Sequence, residues 1–273
     1  MGRFDLRTRT GQISAIIQGN AASSVDADAQ AFFDRVTAAG GTLTTTEKDA
    51  VSALVLSLKT NGTWTAMKAV YPMVGSSAAA CAQNLKSSSF TGTFTSGWTF
   101  ASTGVTPNGT SAYMDTGLND NSILSLNSLH ISIYLRTNTD GVICDIGTFS
   151  ASANSGINIF SRLSNTQYVR LHDEDTNVVA TTDSRGFRMG TRNSATTKNN
   201  FINSTKTTFT QSSNTKLNLN IWIGGRNSNF ELNGFYSNRE NSFTSIGDGI
   251  TDTQATDLYN AVQTFQTSLS RQV

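Results

Sequence analysis

Two histidines and nineteen carboxylates are what this chain holds for acid–base or metal chemistry. The densest group is His172-Asp173-Glu174-Asp175. Several carboxylate oxygens close together suit a hard divalent cation such as calcium. No glycine punctuates the run as a ligand loop would, and Thr176-Asn177 passes directly into Val178-Val179. The simpler expectation is a polar hairpin tip joining strands over 168–171 and 178–182, with calcium at the tip as the open alternative.

Hydrolysis of a glycosidic bond needs two carboxylates facing each other at roughly 5–10 Å. Asp115, Asp145, Glu174 and Glu231 are the candidates, but none pairs with another at alternate positions of one strand. A Ser-His-Asp arrangement would have to use His130 or His172, and no Gly-x-Ser-x-Gly elbow accompanies them. Ile223-Gly224-Gly225-Arg226 is followed by a strand pattern rather than a helix. It therefore reads as a strand end with close backbone packing, not as a phosphate cradle. Cys81 and Cys144 fit neither a metal spacing nor a disulfide framework and read as two buried free thiols. The expectation is a non-enzymatic protein with no catalytic, cofactor-binding or metal residues. A polysaccharide-degrading glycosidase or lyase on the same scaffold is the alternative.

The elements that would position these residues are mainly β. From Phe90 to Phe243 the hydrophobic period is two, interrupted by turn clusters such as Ser96-Gly97, Asn108-Gly109 and Asn203-Ser204. This predicts an antiparallel β-sandwich with Ile131, Ile133, Leu135, Ile221 and Ile223 facing its core. Ahead of it, Phe32, Phe33 and Val36 predict a helix that starts at Asp26-Ala27-Asp28 and stops at Gly40-Gly41. Thr44 and Glu47 form a capping box before a second helix carrying Val51, Leu54, Val55 and Leu58. The stripe Trp64, Met67, Tyr71 predicts a third short helical element, ended by Pro72. A further capping box, Thr251 with Gln254, opens a closing helix over 251–270 with Leu258, Val262, Phe265 and Leu269 on one face.

The expected organisation is an extended arm over 1–24, a small helical module over 25–86, and the β-sandwich with its closing helix over 87–273. Phe4, Leu6, Ile13, Ile16 and Ile17 of the arm cannot bury themselves alone. The arm and helices are therefore expected to contact other subunits, most simply in a homo-oligomer.

Net charge of +1 and a charged fraction of 14% give no field to hold nucleic acid or an anionic membrane. Fifteen Phe, six Tyr and three Trp supply anchors that a disordered chain lacks. No apolar run approaches the roughly 20 residues of a membrane span, and Met1-Gly2-Arg3-Phe4-Asp5-Leu6 opens no secretory signal. The expectation is a soluble protein made in a cytosol.

Two resemblances follow from particular runs. Asn108-Gly109, Tyr113, Asp115 and Ile131-Ser132-Ile133-Tyr134-Leu135-Arg136 resemble the opening of concanavalin-like, laminin-G-like jelly rolls. Ile221-Trp222-Ile223-Gly224-Gly225, Asn233-Gly234-Phe235-Tyr236 and Thr251 to Tyr259 are similar to the close of that family. The likeness covers about 105–270 and implies a jelly-roll fold. Laminin-G-like modules often hold calcium through rim acids, and no acid pair here matches that set. The whole chain also resembles virion proteins of tailed bacteriophages, through Trp64 to Gly75, Thr103 to Thr110, Ser245 to Gly249 and Tyr259 to Phe265. That resemblance implies a structural protein of the virion, assembled in the host cytoplasm. It would be a surface decoration or fibre of capsid or tail, with other virion proteins and a host cell-surface glycan as partners.

Overall fold

The computed structural model describes residues 25–174, 177–228 and 235–273. The arm expected over 1–24, together with Asp175 and Glu231, lies outside them. In chain order the elements begin with α1 (Ala27–Ala38), α2 (Thr45–Thr60), β1 (Met67–Tyr71) and α3 (Ala78–Cys81). There follow β2 (Thr93–Phe94), β3 (Trp98–Ala101), β4 (Gly104–Pro107), β5 (Met114–Asn119), α4 (Asp120–Ile123) and β6 (Leu129–Leu135). The middle holds β7 (Ile146–Ser150), β8 (Ser155–Leu163), β9 (Thr166–Leu171), β10 (Val178–Ala180) and β11 (Gly186–Arg192). The chain closes with β12 (Thr197–Ile202), β13 (Thr205–Thr210), β14 (Asn220–Ile223), β15 (Asn241–Gly247) and α5 (Asp252–Ser268).

These strands make two antiparallel sheets. One runs β13-β12-β11-β6-β15-β4-β3, with β1 also paired to β15; the other runs β10-β9-β8-β7-β14-β5-β2. Between them lies an aliphatic core that includes Ile131, Ile133, Leu135, Ile221 and Ile223, each no more than 1% exposed. Alternation carries these side chains to one side of β6 and β14, as the sequence pattern requires.

The second core lies on the other side of the eight-stranded sheet. Tyr134, Phe187, Met189, Phe201 and Phe243 point outward from it and meet Phe32, Leu54, Leu58, Leu258, Val262 and Phe265 of the helices. Phe187 packs on Tyr259 and Phe243 on Phe265, with ring centroids 6.0 and 6.4 Å apart. Both expected capping boxes form: Thr44 with Glu47, and Thr251 with Gln254. The helices therefore bury their apolar stripes against the sheet of their own chain, which is what holds helices of this length in water.

One expected element is different. Trp64–Ala66 is a single 3₁₀ turn, and Met67–Tyr71 is a strand running antiparallel to β15 rather than a helix. Spacings of three and four between Trp64, Met67 and Tyr71 imitate a helical stripe because this strand is buried on both faces. Val70 joins the helix-side core, while Ala69 and Tyr71 join the sandwich core. Two-sided burial erases the period-two signal.

Candidate functional site

Most ionisable side chains that the sequence offers for chemistry are committed inside the fold. The hairpin of β9 and β10 forms as expected, but the first two residues of the polar run, His172 and Asp173, are turned into the fold rather than solvated. Both are fully buried. Asp173 binds Arg192 at 2.8 Å and Lys198 at 3.1 Å, so its oxygens are occupied by cations of the chain itself. His172 Nε2 lies 2.6 Å from Asp120 Oδ1, and Glu174 accepts from Asn154 Nδ2 at 2.7 Å. Among the described residues no three His, Cys, Asp or Glu side chains converge as metal ligands would. A buried polar knot was missed at this hairpin because its partners arrive from strands β11 and β12.

The other candidates are equally dispersed. Asp145 is buried and accepts from Arg239 Nη1 at 2.7 Å, from Ser161 N and from Ser237 Oγ. His130 is buried in the eight-stranded sheet, 2.6 Å from the Asp248 carbonyl. Cys81 and Cys144 are free and buried, and burial pushes both thiols up to about 12.

The described helices pack on one sheet, and none of them lies on the outer face of the other. Along β5, β9 and β14 buried positions alternate with partly exposed ones. Trp222 stands between inward Ile221 and Ile223, so it must point outward. On its two neighbouring strands it faces Asp115 of β5 and Gly147 of β7. Tyr113 stacks on Trp222 with ring centroids 3.6 Å apart and 12° between planes, and Tyr236 lies 6.4 Å from Tyr113. Thr95 fixes this position, exchanging hydrogen bonds with the backbone of Tyr113 at 2.9 and 3.0 Å.

Tyr113, Asp115 and Asn220 wall a groove of about 390 Å³ with Thr91, Thr93 and Thr95. Asp115 accepts from Gly117 N at 2.8 Å and from Asn220 Nδ2 at 3.4 Å. Burial, helped by the Asp115 carboxylate, holds the Tyr113 phenol above its ordinary value, so it remains a donor at neutral pH. An aromatic ring beside a carboxylate, an amide and hydroxyls offers an apolar face and several fixed hydrogen-bonding groups in one place.

Beyond Trp222 the chain turns at Gly224, whose φ is +82° and where a Cβ would lie 2.7 Å from the Trp98 ring. A larger residue would be strained there on both counts. The segment then runs beside β7: Asn227 N donates to Gly147 O at 3.0 Å and Phe149 N to Asn227 O at 2.9 Å. This lays Arg226 over the sheet, with its guanidinium carbon 4.5 Å from the Phe149 ring centre and 4.2 Å from that of Phe235. Burial pulls the Arg226 guanidinium below its ordinary value. Phe235 is tied by its carbonyl, which accepts from Cys144 N at 2.8 Å, and has a left-handed backbone with φ of 46°.

The sequence held one readable sign of this face. An aromatic residue between two core isoleucines, as in Ile221-Trp222-Ile223, is an apolar side chain placed outward. Arg226, Phe149, Phe160 and Phe235 carried no such sign, because they meet only through the sheet.

No protein-family model matches the chain, and no curated protein matches it in sequence. Among solved structures, domain 4 of an extracellular GH43 arabinanase from Geobacillus stearothermophilus, solved in complex with arabinotriose, superposes with a TM-score of 0.50. Identity is 13%, over 71% of this chain and 98% of that one. The botulinum neurotoxin serotype D binding domain gives 0.45 at 11% identity, over 72% and 52% of the two chains. Domains LG4-5 of the mouse laminin α1 chain give 0.33 at 13%, over 48% and 37%. At such identity the arabinanase domain establishes likeness of fold: a mainly β, two-sheet antiparallel sandwich.

Proposed function

We propose that this chain is a non-catalytic glycan-binding module, and that the outer face of its seven-stranded sheet is the binding surface. The observation that carries this reading is the half-buried Tyr113–Trp222 stack beside Asp115 and Asn220 on a sheet face that none of the described helices covers. Sugar rings present C–H bonds on one side and hydroxyls around the edge. The negative face of an aromatic ring attracts the former, and carboxylate and amide groups bond the latter. That the arabinanase domain with the same sandwich fold was solved holding arabinotriose supports a sugar as the ligand.

The absence of catalysis in this reading rests on the carboxylates. Asp145 is locked to Arg239, Glu174 is bonded to Asn154, and Asp115 stands on the outer sheet face. None of these three faces another across a groove, as acid and base or nucleophile would. The setting we propose, a fibre or decoration protein on a phage particle, rests on the sequence resemblance alone. Mass spectrometry of purified particles is its test.

Titration calorimetry of the full chain against arabinotriose and a panel of other neutral and acidic oligosaccharides tests the binding reading. Saturable binding that is lost in Trp222→Ala supports it. Binding to none of the panel, or release of reducing ends from a bound polysaccharide, overturns it.

A further inference from the structure

A second groove lies on the same sheet face, over β8 and β9. Its volume is about 260 Å³, and its walls include Asn158, Phe160, Tyr168, Arg170, Arg226 and Phe235. Among the described residues that line it, Arg170 and Arg226 are cationic and none is a carboxylate. Arg226 is 6% exposed, yet its Nε and Nη2 make no hydrogen bond. The Oδ1 of Asn158, a residue 1% exposed, is likewise without a donor. Other buried guanidinium groups are better supplied: Arg188 leaves only its Nε open and bonds Gln167 and the carbonyls of Asp183 and Arg185 through its other nitrogens. Arg239 reaches Asp145 and the carbonyls of Thr139 and Arg162, and Arg192 reaches Asp173 and the carbonyls of Leu171 and Gln211.

A buried cation with open donors is costly to keep unless something that binds there completes it. Aromatic rings attract the Arg226 guanidinium through their faces but leave the N–H groups in its plane unmet. A carboxylate matches that planar fork, and charge-assisted bonds of this kind are the strongest a groove can offer. The unmatched Asn158 oxygen asks for a donor, which a hydroxyl provides. A ligand bearing a carboxylate and hydroxyls on one small ring satisfies both demands.

We infer, building on the glycan-binding reading, that the Arg226 groove takes the carboxylate of an acidic sugar, a uronic acid or a sialic-acid-type residue. In this arrangement Phe235 belongs to the acidic subsite and Tyr236, next in the chain, to the aromatic platform at Tyr113. One oligosaccharide lying across β14 would engage both.

Calorimetry with matched pairs tests the inference: trigalacturonic acid against galactotriose, and 3′-sialyllactose against lactose. In at least one pair the acid is expected to bind about tenfold more tightly or better, as a charge-assisted bond implies. That preference should shrink as salt is raised. The pair that shows it identifies the kind of acid. Arg226→Met should abolish the preference while leaving neutral binding in place, and Arg226→Lys should keep part of it. If neutral and acidic members bind equally to the unaltered chain, the inference fails and the glycan-binding reading stands. If neither these pairs nor arabinotriose bind, the glycan-binding reading falls and takes this one with it. The comparison on the unaltered chain decides the matter even if Arg226→Met does not fold.

Discussion

Tyr113 lies on Trp222 with its ring 3.6 Å away and nearly parallel, Tyr113 standing just before β5 and Trp222 within its neighbour β14. Neither ring belongs to the sandwich core, which Ile221, Ile223 and Met114 fill from the other side. An aromatic pair of this kind contributes about 0.5–1.5 kcal/mol beyond its area. That is a small share of folding, and a sugar stacked on the Tyr113 ring would gain a contact of its own, which is a large share of a weak glycan affinity. Tyr113→Ala is therefore expected to weaken oligosaccharide binding about tenfold or more while lowering stability by about 1 kcal/mol. Calorimetry with parallel urea melts measures both, and a loss of stability without loss of affinity would remove Tyr113 from the site.

The core behaves differently. Ile131 is fully buried between the sheets, and Ile131→Ala should cost about 2–5 kcal/mol through lost transfer energy and the cavity left behind. The midpoint of urea unfolding should fall with little change in slope. Unaltered stability would mean that Ile131 does not pack as described.

Asp173 tests the buried charge knot. Its carboxylate is shared between Arg192 and Lys198, all three side chains being inaccessible to solvent. Removing the carboxylate of a buried ion cluster leaves the Arg192 guanidinium without its counter-charge, at a cost of about 3–5 kcal/mol. Asp173→Ala should approach that range. Replacing Asp173, Arg192 and Lys198 together by apolar residues of similar size should cost less than the single change. The ordering of the two variants in urea melts decides the point, since the opposite order would mean that the charges themselves are net stabilising.

What was legible in the sequence followed from period and local chemistry. Ile131, Ile133 and Leu135 announced a strand face, Thr44 with Glu47 a helix start, and Leu258, Val262 and Phe265 a buried helical stripe. What was not legible depended on partners far along the chain. Asp173 looked like part of a solvated turn because Arg192 and Lys198 reach it only once β9, β11 and β12 are assembled. Met67–Tyr71 looked helical because both its faces are covered. The Arg226 groove draws on Asn158, Tyr168 and Phe235, residues from three separate stretches, and no spacing within any one of them marks it.

His130 sets the acid limit expected of the fold. Its Nδ1 faces the Asp248 carbonyl at 2.6 Å, and a carbonyl oxygen only accepts, so Nδ1 carries the proton. Nε2 is then the acceptor for Ser245 Oγ at 3.2 Å, and the neutral ring satisfies both of its nitrogens. Complete burial lowers the pKa of the ring from 6.5 to about 4, the neighbouring Asp248 carbonyl offsetting only part of the effect. Between these two values the unfolded chain binds a proton that the folded one refuses. The associated stability is therefore fully present above about pH 6.5 and declines as pH falls toward 4. From pH 7 to pH 5 the loss should be about 2 kcal/mol. Urea melts of the unaltered chain and of His130→Gln at the two pH values isolate the contribution. The variant is less stable at pH 7 but should show a correspondingly flatter pH dependence. Equal slopes in the two proteins would mean that His130 is not held neutral by the fold.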